Sequence, residues 1–165
     1  MITVEDATPD DVEMIRRIAE QTWWPTYGAI LPPDQVRYML DALYGREILE
    51  NIISKNVQKF ILLRNNIGVQ GFASFAVREE DPQVYKVYKL YVLPARQGNG
   101  FGSILLNEIK RRLLTINIHS MDLNVARRNT AARTFYEKFG FHIIREEEIQ
   151  MGPYLLEDYV MRLAF

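Results

Sequence analysis

Three strand-like stretches in the middle of the chain, Lys59–Arg64, Val69–Val77 and Val84–Leu93, are joined by connections too short to hold a helix. The first connection is Asn65-Asn66-Ile67-Gly68, and the second contains the polar run Glu79-Glu80-Asp81-Pro82. Parallel neighbours need a crossover of a dozen or more residues, so these strands are expected to pair antiparallel. In the third and longest, simple alternation puts Tyr85, Val87, Lys89 and Tyr91 on one face and Tyr88, Leu90 and Val92 on the other. Pro94 ends it.

The flanks of this meander are read from period and punctuation. Ile2–Ala7 predicts a short strand and Pro9-Asp10-Asp11 a helix start. Val12, Ile15, Ile18-Ala19 and Thr22-Trp23 follow a helical period, which Pro25 and Gly28 are expected to break. Pro32-Pro33 opens a second helix through about Leu43, and Gly45 separates it from a third stretch ending near Asn56. After the meander, Ser103–Leu114 carries Leu105-Leu106, Ile109 and Leu113 at helical spacing. Met121, Leu123 and Val125 alternate as a strand, and Asn129 caps a further helix that Gly140 stops. Phe141–Ile149 and Tyr154–Leu163 read as two closing strands. The order predicts an α+β fold with a mixed, mostly antiparallel central sheet of about seven strands flanked by helices. At 165 residues, one domain spanning 1–165 is expected.

Composition narrows the chemistry. Twenty Lys and Arg against 21 Asp and Glu leave a formal charge of −1, without the basic excess of a nucleic-acid binder. The absence of cysteine removes disulfides, zinc-thiolate sites and cysteine nucleophiles, and two histidines make a multi-histidine metal site improbable, so no metal is expected. No apolar run approaches the roughly 20 residues of a membrane span. The acidic start Met1–Asp11 carries no visible export signal, so a cytoplasmic protein without nucleic-acid or membrane partners is expected, as monomer or homodimer.

The segment with the most chemistry is Arg96-Gln97-Gly98-Asn99-Gly100-Phe101-Gly102-Ser103, set between a strand and an amphipathic helix. Glycines let backbone N–H groups approach a ligand, and a helix start adds unpaired donors and a positive dipole end. Together they suit phosphate. The plainer alternative is a tight strand-to-helix turn. A P-loop lysine is missing, and the last glycine of a dinucleotide fingerprint begun at Gly98 would fall on Ser103.

Gln97-Gly98-Asn99-Gly100-Phe101-Gly102 resembles the Gln/Arg-x-x-Gly-x-Gly/Ala signature of the GCN5-related N-acetyltransferases (GNAT). Leu90–Pro94 is similar to the strand that precedes it in that family, and Asn129, Ala132, Tyr136, Gly140 and Phe141 match its second motif. The resemblance covers about residues 58–165 well and implies an acetyl-CoA-dependent transferase. It implies that the backbone of Gln97–Gly102 and Ser103 holds the pyrophosphate, and that Leu90, Tyr91 and Val92 pair with the pantetheine like an added strand. Asn129 would bond the same arm, Arg96 and Lys138 would meet CoA phosphates, and Tyr136 would protonate the departing thiolate. For Arg96 and Lys138 the alternative is a solvated surface charge, and for Tyr136 it is a core aromatic beside Phe135 and Phe139.

For the acceptor, the broken segment Gln21–Gly28 holds both tryptophans and is similar to a subgroup of polyamine acetyltransferases. Trp24 and Tyr27 are the expected pocket residues, with Trp23 as a core anchor, and Tyr88 and Tyr154 join them as substrate candidates. Several relatives use a glutamate on the long strand as general base, but Val84–Val92 has no carboxylate. Lys86, Lys89, a relay through Tyr88 or Tyr91, and Glu20 or Asp34 all stay open. The acidic runs Glu79–Asp81 and Glu146–Glu148 are expected to be solvated, with attraction of a polycation as the alternative. The expected activity is direct acetyl transfer to a primary amine, either on a small polyamine-like molecule or on a protein N-terminus or lysine. A CoA-binding sensor without turnover is the rival of another class.

Overall fold

The computed structural model describes residues 1–165 and contains one seven-stranded sheet in the order β1-β2-β3-β4-β5-β7-β6. The strands are β1 (Thr3–Asp6), β2 (Lys59–Arg64), β3 (Val69–Val77), β4 (Tyr85–Val92), β5 (Ser120–Ala126), β6 (His142–Met151) and β7 (Tyr154–Ala164). The helices are α1 (Val12–Tyr27), α2 (Pro33–Tyr44), α3 (Arg46–Ser54), α4 (Phe101–Thr115) and α5 (Thr130–Phe139). The fold is α+β, and β4–β5 is the sole parallel pair.

Two apolar layers sandwich the sheet. On one face Leu105, Leu106, Ile109 and Leu113 of α4 pack on Ile61, Ala73, Val87 and Leu123. On the other, Ile15, Ile18 and Trp23 of α1 and Val36 and Leu40 of α2 pack on Phe60, Leu62 and Phe72. The charged centre is Asp122, fully buried on β5, which accepts hydrogen bonds from Arg78 Nε at 2.8 Å and Arg162 Nε at 2.6 Å. Those two guanidiniums hold its carboxyl below the usual range against the opposing effect of burial.

Two expectations change. Pro25 does not end the first helix: α1 runs on to Tyr27. Proline removes only its own N–H, so the last turn survives it. Trp23 and Tyr27 thereby fall on one stripe, with rings 4.5 Å apart, and Trp24 is exposed beside Glu20. The faces of β4 also differ from simple alternation. Ser74 pairs with Lys89 but Phe75 with Val87, so Tyr88 is an extra residue, a β-bulge. Tyr85 and Val87 therefore share the α4 face with Leu90 and Val92, and Lys89 and Tyr91 turn toward α1 and α2.

Candidate active site

The bulge sits where the sheet divides. β4 and β5 pair only from Tyr85–Val87 to Met121–Leu123, although β4 continues along β3 to Val92 and β5 along β7 to Ala126. From Tyr88 onward the β4 backbone groups that face β5 have no strand partner. A cleft of about 590 Å³ opens in the gap. Its walls are Tyr88–Val92 of β4, Leu123–Val125 of β5, the start of α4, and Asn129, Ala132, Phe135 and Tyr136 around α5.

The glycine loop forms one end. Gly98 and Gly100 take φ of 89° and 79°, in the left-handed region, and a Cβ at either would meet open space. Gly100 starts α4 without any side-chain cap, and the first cap bond there is Ile104 N–H to the Gly100 carbonyl at 3.1 Å. The N–H groups of the first turn are thus left to face the cleft. Gly102 serves packing instead, because a Cβ there would lie 3.0 Å from the Phe135 ring. The Phe101 side chain is buried in the core, so only its backbone can meet a ligand. Gln97 Nε2 donates to the Val92 carbonyl at 3.2 Å, tying the loop to the end of β4, and Arg96 Nε donates to Gln70 at 3.2 Å.

Tyr136 enters from α5, its ring edge-on to Phe135 at 5.4 Å and to Phe141 at 5.7 Å. Burial, with a smaller effect of Tyr27, pushes its phenol above the ordinary range and keeps it protonated at neutral pH. Asn129 Oδ1 accepts the Ala132 N–H at 3.2 Å as the α5 cap, which turns its amide N–H₂ to the cleft on the side of the Tyr27 hydroxyl. Tyr27 and Tyr91 meet through their hydroxyls at 3.3 Å, and burial raises both phenols.

The sequence candidates divide at the cleft wall. Tyr136, Tyr27, Tyr88, Leu90, Tyr91, Val92, Arg96, Gln97, Gly98, Gly100, Phe101, Gly102 and Asn129 line it. Asn99, Ser103, Lys138, Trp24 and Tyr154 do not. Trp24 stands on the outer side of α1 and donates Nε1–H to Glu20 at 3.1 Å, because α1 is unbroken there. Tyr154 packs edge-on against Tyr38 at 5.4 Å, where the β6–β7 hairpin meets α2. Among the open candidates for a base, Glu20 is held by Arg37 at 2.6 Å, and that bond keeps it below its usual range. Lys89 is buried under the Tyr44 and Phe60 rings. Asp34 is exposed in the first turn of α2.

Sequence reading missed Asn124 and, next to it, Asp158. Asn124 lines the cleft and donates Nδ2–H to Asp158 Oδ2 at 3.1 Å. Burial pushes the Asp158 carboxyl up, and Glu147, its partner across β6–β7, adds to the shift. The alternation of β7 marks Asp158 as one face of a strand, but nothing local pairs that strand with β5.

The fold agrees with that of known proteins. The model of the acetyltransferase (GNAT) family matches residues 17–141. A Bacillus subtilis protein named as an uncharacterized N-acetyltransferase, YuaI, is 27% identical over 161 residues, 96% of this chain and 90% of its own length. A spermidine N(1)-acetyltransferase of Thermoplasma acidophilum is 22% identical over 157 residues, 94% of this chain and 96% of its own. The crystal structure of PaiA N-acetyltransferase from Thermoplasma acidophilum in complex with coenzyme A superposes with a TM-score of 0.85 at 22% identity, over 100% of this chain and 99% of that one.

Proposed function

The chain belongs to the acetyltransferase (GNAT) family, and from that premise we propose that it uses acetyl-CoA to acetylate a primary amine on a small cationic molecule. One observation carries the reading: the unpaired edge of β4, the glycine loop at the start of α4 and the Tyr136 phenol open into the same cleft. When bound, acetyl-CoA supplies an activated acetyl thioester. The residues fit it. Leu90, Tyr91 and Val92 offer free backbone groups to an extended arm in the way a sheet edge takes another strand. The uncapped first turn of α4 and the loop before it offer N–H donors to a diphosphate. Asn129 holds the arm with its N–H₂ group. Tyr136, kept protonated by burial, gives its proton to the leaving sulfur. Tyr27 and Tyr88 present aromatic surface on the acceptor side, which favours a cationic amine. The spermidine acetyltransferase among the relatives supports that class.

The test follows acetyl-CoA consumption with spermidine, a lysine peptide and a peptide with a free N-terminus, beside thermal shifts with CoA, ATP and NAD. CoA is expected to give the largest shift and spermidine the fastest turnover. Faster turnover of a peptide would move the acceptor to proteins. Binding of CoA without turnover on any amine would replace the enzyme by a CoA-binding module.

A further inference from the structure

An amine acceptor reaches neutral water as an ammonium ion and must lose a proton before it can attack. No carboxylate lines the cleft, and β4 carries none. Two carboxylates lie one bond behind Asn124, Asp158 at 3.1 Å and Glu147 at 3.5 Å, and Asp158 holds the shorter bond. Asn124 on β5 bonds it, Glu147 on β6 is its cross-strand partner, and Lys86 on β4 and the Tyr27 phenol on α1 lie within range of its charge. The nearby Arg127 spends its Nε on the Asp158 main-chain carbonyl at 3.3 Å and its terminal nitrogen on Glu146 at 3.6 Å. Asp122, by contrast, is neutralised by two arginines on the same sheet face. Asp158 is half-buried and paired with an amide rather than a cation.

We infer that Asp158 takes the proton of the acceptor ammonium through water, with Glu147 beside it as a second anion that draws a cationic acceptor to the open side of the cleft. The inference rests on the acyltransferase reading above. In the step, the ammonium gives one proton through water to Asp158, and the freed lone pair forms a C–N bond to the thioester carbonyl carbon. The C–S bond breaks and the thiolate takes the Tyr136 proton. The second proton of the amine nitrogen returns through water to the Tyr136 phenolate, and Asp158 releases its own to solvent, for a net yield of one proton. Asn124 orients the carboxylate. Burial and the negative Glu147 raise its basicity toward what the task needs.

The experiment is single-turnover acetyl transfer from pH 6 to 10, with whichever amine of the panel the wild type turns over fastest. Asp158→Asn keeps the shape and the bond to Asn124. It is expected to slow transfer by about 10²–10⁴ at pH 7. The deficit should shrink toward pH 10, where the acceptor deprotonates by itself. Asp158→Glu should recover part of the rate. Glu147→Gln should shift the acidic limb of the profile to lower pH. The CoA thermal shift should be unchanged in all three. Wild-type rates in Asp158→Asn, or a loss of equal size at every pH, would overturn the inference while leaving the transferase reading intact. A wild type inactive on every amine would overturn both.

Discussion

Replacing Lys89 with methionine should stabilise the protein at neutral pH. Lys89 is 6% exposed, its Nζ 5.6 Å from the Tyr44 ring centre and 5.5 Å from that of Phe60. Its one side-chain hydrogen bond runs to Gln58 Oε1 at 3.1 Å, an amide oxygen rather than a carboxylate. Burial, with some repulsion from Lys86, lowers its pKa from 10.5 to about 8. At 1.36 kcal/mol for each tenfold change in proton affinity, that displacement costs folding about 3 kcal/mol. The cost is fully present below the folded pKa of about 8, because the ammonium must be buried there, and it disappears above the unfolded pKa of 10.5. Wild-type stability should therefore gain about 3 kcal/mol from this residue between those limits. Methionine fills the same channel without charge, and Gln58 Oε1 keeps a donor in Ser74 Oγ at 2.8 Å. Both cation–ring contacts are long, so their loss offsets part of the gain, at about 0.5–1 kcal/mol each. Urea denaturation at pH 7 and pH 10 checks this. Lys89→Met should be the more stable protein at pH 7, by about 1–2 kcal/mol, and the difference should shrink or reverse at pH 10. A variant less stable at pH 7, with the wild-type rise between pH 8 and 10 intact, would refute the reasoning.

Tyr136→Phe keeps the ring between Phe135 and Phe141 and removes the proton donor, so single-turnover transfer should fall by about 10²–10⁴ with CoA affinity nearly unchanged. Gly100→Glu should abolish the CoA-induced thermal shift. Gly100→Ala is the control for strain at its φ of 79°, and should lose stability but keep a shift. Tyr27→Ala should raise KM for the amine by removing cleft wall, whereas Trp24→Ala should leave KM and CoA affinity near wild type, because Trp24 lies outside the cleft. Steady-state kinetics on both acceptor and CoA separate these two.

Elements with a strong local period were legible. The helical stripe from Val12 to Trp23 and the strand alternation of Met121-Asp122-Leu123-Asn124-Val125 need only neighbours in sequence, and both occur where the pattern puts them. The glycine loop was legible because its conformation is chemical: residues at φ of 89° and 79° demand glycine. What failed was whatever depends on distant chain. Proline at 25 reads as a stop, yet the stripe through Trp23 to Tyr27 still packs on the sheet, and that burial outweighs one missing hydrogen bond. Trp24 looked like a pocket residue because the helix was expected to end there. Asp158 was out of reach because the order β5-β7-β6 brings it to Asn124 across 34 positions of sequence.

The misread faces of β4 lead to the site itself. Regular alternation would have kept Lys89 on the α4 face, among Leu105, Ile109 and Val87. The single extra residue at Tyr88 turns Lys89 to the α1–α2 face, returns Leu90 and Val92 to the α4 face, and adds local twist. Parallel pairing with β5 ends at Val87, one residue before it. Beyond that point the β4 groups facing β5 border a cleft whose walls include Phe135, Ala132 and Val125. Unmade backbone hydrogen bonds beside apolar surface are costly, and an extended ligand arm that supplies the missing partners would recover that cost on binding. The bulge thus does two things at once. It lets a charged strand keep its core, and it ends the sheet where an extended molecule can continue it.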